Sequence, residues 1–109
     1  MQTITYEQLK SLLNDGKVHL INVLPEESYQ KMHIPGSINI PREDPYFSAK
    51  VKTMVGGSPL PIVLYCAGPE CDASRKAHTQ LEQAKVANVL VYEGGMKEWR
   101  TQEGPTSVA

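Results

Sequence analysis

Along the chain, apolar residues recur at helical spacing in some stretches and run together in short β-rich bursts in others. The segment TYEQLKSLLNDGK (5–17) puts Leu9, Leu12 and Leu13 on one face and predicts a helix. Thr5 with Gln8 three positions on forms a capping box at its start, and Gly16 supplies the stop. VHLINV (18–23) predicts a short strand, and Pro25 then suits the first turn of a helix over PEESYQKM, whose early carboxylates favour the helix dipole. HIPGSINIP (33–41) predicts a tight turn entering a short Ile-rich strand. DPYFSAKVKTMVGG (44–57) predicts a helix closed by glycines. PIVLYC (61–66) is a continuous apolar run, the pattern of a central strand buried on both faces. DASRKAHTQLEQAK (72–85) carries Ala73, Ala77, Leu81 and Ala84 along one helical stripe. NVLVYEGG (88–95) predicts another strand ending in a glycine turn, and MKEWRTQEG a last short helix.

Strands alternating with helices define an α/β protein with a parallel sheet covered on both faces. Ligands in such sheets gather at the carboxyl ends of the strands. A length of 109 residues suits one domain, residues 1–109 with a core over about 5–105. Eleven basic against twelve acidic residues give a net charge of −1, which provides no electrostatic drive toward nucleic acid or an anionic membrane. The opening MQTITYEQLK lacks the basic and apolar regions of a signal peptide. No apolar run approaches a membrane span. A cytoplasmic protein, monomeric by default, with its two cysteines reduced is the expectation.

Those cysteines hold the candidate chemistry. Cys66 closes the buried strand, and the loop Ala67-Gly68-Pro69-Glu70-Cys71-Asp72 leads into a helix starting near Asp72. A loop curled around a thiol aims backbone N–H groups at it, and the first turn of the next helix adds unpaired donors and a positive dipole end. Both favour thiolate, so the pattern predicts a Cys66 pKa below the free value of about 8.5. The same cradle suits a persulfide or an oxyanion on a sulfur donor. The competing reading is a buried cysteine acting as a small hydrophobe.

The surrounding segments resemble the single-domain rhodanese family of sulfurtransferases. HIPGSINIP is similar to the family's GHI-x-G-A-x-N-I-P signature, with Met32 at its first glycine. LINVLPEESY sits where the family carries its D-x-R segment, IVLYC resembles the strand delivering the reactive cysteine, and VYEGGMKEW resembles the L-x-GG-x-x-x-W segment. The resemblance spans nearly the whole chain. It implies a rhodanese-like fold, a central five-stranded parallel sheet flanked by helices on both faces. It also implies a sulfurtransferase in which Cys66 carries sulfane sulfur as a persulfide from a small donor to a thiophilic acceptor, which could be a sulfur-carrier or thiol protein. No metal or organic cofactor is implied.

The departures from the family pattern matter. The loop CAGPECDAS is two residues longer than the family's usual one. No basic residue lies between Cys66 and Ser74, whereas Glu70 and Asp72 are acidic, so weak activity on dianionic thiosulfate is expected unless Arg75 and Lys76 turn inward. Asn22 and Leu24 replace the acid and base of the D-x-R segment. The backbone of residues 67–72 together with Arg75 forms the expected substrate site, with Gly68 and Pro69 shaping its turn. Cys71, five residues after Cys66, is a candidate resolving thiol for a persulfide or sulfenic acid. A zinc site lacks a second ligand pair. Asp72 stands where a phosphatase C-x5-R loop carries its arginine, and an acid there would repel phosphate. His33 reads as structural, His19 and His78 as surface or boundary residues, and Tyr92 and Trp99 as core. Two rival functions follow: a dithiol/disulfide protein using Cys66 and Cys71, and a catalytically idle binding module.

Overall fold

The computed structural model describes residues 1–108. In chain order it contains β1 (Gln2–Thr3), α1 (Tyr6–Asp15), β2 (His19–Asn22), α2 (Glu26–Lys31), β3 (Ile38–Asn39), α3 (Phe47–Val55), β4 (Ile62–Tyr65), α4 (Ala73–Gln83), β5 (Val89–Tyr92) and α5 (Gly95–Thr101). The five strands form one parallel sheet in the order β1-β5-β4-β2-β3. The continuous apolar run is thus the central strand, and all four β4 residues are buried.

Parallel strands need crossovers, and the helices of those crossovers cover both sheet faces. On one face Phe47 and Val51 of α3 and Ala77 and Leu81 of α4 pack on Ile62, Leu64 and Cys66. On the other, Tyr6 and Leu9 of α1 and Met96 and Trp99 of α5 pack on Val63 and Tyr65. Successive β4 side chains therefore alternate between two cores, and each fully buried apolar side chain contributes about 1.5–3 kcal/mol.

Local chemistry sets the boundaries. Thr5 and Gln8 form the reciprocal capping box, and Gly16 ends α1 in the left-handed conformation that glycine tolerates. Pro25 stands one position before its expected place, as the residue capping α2. The helix predicted over 96–104 instead begins at Gly95 and ends at Thr101. Strand β1 has no counterpart in the apolar pattern, because its two residues are exposed at the sheet edge and join it only by pairing with Leu90 and Val91. Among the described residues no helix is long and apolar enough to cross a membrane.

Candidate active site

Strands β2 and β4 end level, Asn22 opposite Tyr65, and Tyr65 lies opposite Tyr92 of β5. The loops after the three strands therefore emerge along one rim. After Cys66 the chain turns at Gly68, whose carbonyl accepts the Cys71 N–H at 3.0 Å, and Asp72 caps α4. The glycine turn after β5 grips this loop from the side: Met96 N–H donates to Cys66 O at 3.0 Å and Lys97 N–H to Ala67 O at 2.9 Å. Gly95 makes that approach possible. Its φ is +60°, and a Cβ there would lie 2.5 Å from Cys66 O and 2.7 Å from Gly68 N.

From the other side, Tyr65 ties β4 to the 33–37 turn. Ser37 Oγ donates to Ile34 O at 2.6 Å, which leaves the Tyr65 hydroxyl to donate to Ser37 Oγ at 2.8 Å while accepting the Ile34 N–H at 3.0 Å. His33 belongs to the same scaffold: its ring stacks on Tyr29, its Nδ1 meets Tyr29 O at 2.9 Å, and its backbone pairs with Ser107. Where the family's D-x-R segment would bring charges, Asn22 Oδ1 accepts the Leu24 N–H and the Asn22 carbonyl accepts from Asn39.

Both cysteines are free thiols, and they sit in unequal surroundings. Cys66 is 1% exposed. Its thiol points toward Cys71 O and Ser74 Oγ, each 3.5 Å away. Burial pushes the Cys66 thiol up, the neighbouring Cys71 thiol adds to this, and the hydroxyl and N–H of Ser74 only partly oppose it. The expected depression of Cys66 is therefore overturned: of the cradle amides, that of Ser74 serves this sulfur. The amides of Ala67 and Ala73 face Cys71 instead. Burial would raise the partly exposed Cys71, but the neighbouring Cys66 thiol and those two amides outweigh it and hold its thiol below the ordinary value.

The remaining predicted residues divide. Ala67, Gly68, Pro69, Glu70 and Cys71 line a cavity of about 330 Å³ together with Lys97. Ala67 and Lys97 also border a larger hollow of about 600 Å³ that reaches Leu24, Met32 and Arg100. Asp72 turns to Lys76 at 3.2 Å, and Arg75 is engaged by Pro69 O at 3.5 Å and Glu93 at 3.8 Å. Neither Arg75 nor Lys76 turns inward as a free cation. Two residues here escaped the sequence reading. Ser74 contacts the Cys66 sulfur, and its signal was a hydroxyl in the first turn after a cysteine loop. Lys97, without an ion-pair partner among the described residues, comes from the segment after the glycine pair, 31 positions beyond Cys66 in the sequence.

Set beside known proteins, the Rhodanese-like domain model matches residues 5–102, and the chain belongs to that family. It is 36% identical over 97 residues to the HTH-type transcriptional regulator Rv0324 of Mycobacterium tuberculosis, covering 89% of this chain but only 41% of that protein. It is 32% identical over 116 residues to the Rhodanese domain-containing protein CG4456 of Drosophila melanogaster, covering 92% and 97% of the two chains. A thiosulfate:glutathione sulfurtransferase of Saccharomyces cerevisiae is 26% identical over 119 residues, 95% of this chain and 81% of that one. The structure of a thiosulfate sulfurtransferase from Pseudomonas aeruginosa superposes with a TM-score of 0.87 at 21% identity, over 99% of this chain and 20% of that one, a likeness of fold alone.

Proposed function

We propose that this protein transfers sulfane sulfur through a persulfide on Cys66. The outer sulfur of thiosulfate or of an organic persulfide passes to the enzyme, with sulfite or a thiolate leaving. The Cys66 persulfide then yields its terminal sulfur to a nucleophile such as cyanide, a small thiol or a cysteine of a partner protein. The observation carrying this reading is the loop between β4 and α4, which seats the Cys66 thiol against Cys71 O and Ser74 Oγ and sets the free Cys71 beside it at the rim of a parallel sheet. Family membership and the likeness to a yeast sulfurtransferase support it. Engagement of Arg75 and Lys76 by carboxylates supports weak capture of thiosulfate relative to less charged donors.

Intact-mass measurement after incubation with thiosulfate, and separately with an alkyl persulfide, tests the proposal. One added sulfur atom is expected, mapped to Cys66, removed by cyanide and absent from the Cys66→Ala/Cys71→Ala double variant. No gain of mass with either donor rejects it. A dithiol/disulfide cycle is the second reading, favoured by two free thiols in one loop, with the Cys66 thiol 3.5 Å from Cys71 O. Loss of both free thiols under mild peroxide, with no sulfur uptake from either donor, would put that reading in its place.

A further inference from the structure

The reactive loop places its two thiols at different depths. Cys66 is sealed, 1% exposed, beneath Cys71 O and Ser74 Oγ. Cys71 is partly exposed and lines the 330 Å³ cavity outside the loop. That cavity is walled by Ala67, Gly68, Pro69, the acidic Glu70 and the cationic Lys97, and Cys71 supplies the sulfur at its wall. A donor arriving from solvent therefore meets Cys71 first. To touch Cys66 it would have to displace the turn held by the Gly68–Cys71 hydrogen bond and the two backbone bonds from α5.

We propose that Cys71 is the entry thiol, which takes sulfane sulfur from the donor and passes it inward to Cys66. This rests on the persulfide reading above and adds a step to it. First, Cys71 thiolate attacks the outer sulfur of the donor: a Cys71 Sγ–S bond forms, the donor's S–S bond breaks, and sulfite or an organic thiolate leaves. The Cys66 sulfur then attacks the terminal sulfur on Cys71. A Cys66 Sγ–S bond forms, the Cys71 Sγ–S bond breaks, and the departing Cys71 sulfur takes up the proton that Cys66 gives up. The products are a Cys66 persulfide anion and a Cys71 thiol, so charge balances and no outside oxidant or reductant takes part.

Timed quench with peptide mapping tests the relay. With an alkyl persulfide as donor, Cys66→Ala should accumulate one sulfur atom on Cys71, and Cys71→Ser should load Cys66 at least tenfold more slowly than the unmodified protein. Iodoacetamide footprinting of the unmodified protein should label Cys71 ahead of Cys66, a readout independent of how either variant folds. A Cys66→Ala protein that takes up no sulfur, together with a Cys71→Ser protein that loads Cys66 at the original rate, overturns the relay and leaves the Cys66 persulfide standing. Failure of the unmodified protein to take up sulfur removes both.

Discussion

Gly95→Ala should disable the loop and loosen the fold together. A Cβ at this position would meet Cys66 O, Gly68 N and Ala67 C at 2.5, 2.7 and 2.9 Å. All three are backbone atoms of the reactive loop and cannot rotate away. Forcing an alanine to φ +60° costs about 1–2 kcal/mol, and wedging a methyl group into packed backbone adds roughly 1–3 kcal/mol. Reduced entropy of the unfolded chain offsets about 0.4–1 kcal/mol. The net loss is about 1–4.5 kcal/mol, a fall of roughly 5–25 °C in melting midpoint for a domain of this size. Thermal and urea unfolding give the stability, and mass analysis of sulfur uptake below the new midpoint gives the state of the loop. Gly57→Ala is the control, because its Cβ would meet nothing within 4 Å, and it should shift the midpoint by only a few degrees. A Gly95→Ala protein melting within about 3 °C of the original and loading sulfur at the same rate would refute the claim that backbone approach holds the loop.

Tyr65→Phe leaves the buried Ile34 N–H without its acceptor, so chemical denaturation should show a loss of about 1–3 kcal/mol. Alkylation of Cys71 should reach half its maximal rate at a lower pH than an unstructured cysteine peptide and that of Cys66 at a higher one, as followed by mass mapping across pH. The stability signs oppose each other. Cys71, depressed in the folded state, makes stability rise with pH from its folded value up to that of the free thiol. Cys66, raised, makes it fall beyond that point, because unfolding then releases a proton the native state retains. Arg75→Ala should change thiosulfate loading less than threefold, since Arg75 is occupied by Glu93 and Pro69, whereas Lys97→Ala should raise the KM for thiosulfate several-fold and leave a neutral persulfide donor unaffected. Equal effects of the two variants on both donors would contradict that assignment.

Much of this architecture was legible because local and global signals agree. The capping box at Thr5, the buried run at 61–66 and the α4 start after Asp72 each follow from a few adjacent residues, and the sheet puts each to use. Strand β1 was illegible for the converse reason: two polar, exposed residues carry no periodicity, and pairing with β5 alone makes them a strand. At the site, the C-x4-C loop and its place at a strand end could be read, but which sulfur the amides serve could not. That depends on how the loop turns, with the Cys71 N–H on Gly68 O at 3.0 Å, and composition does not encode such angles. Lys97 and the Arg75–Glu93 pair stayed hidden because strand order, and not spacing along the chain, brings β5 and its following helix against the loop.

The alternation of β4 also guards the fold against mispairing. Val63 and Tyr65 face one core, and Leu64 and Cys66 the other. Displacing this strand by one residue would turn the Tyr65 phenol toward Phe47 and Leu81, away from both of its hydrogen-bond partners, and would carry the thiol to the opposite side of the sheet. A misregistered chain would thus lose the Tyr65 hydrogen bonds and the placement of the Cys66 thiol in the same event, so one register serves both the packing and the loop.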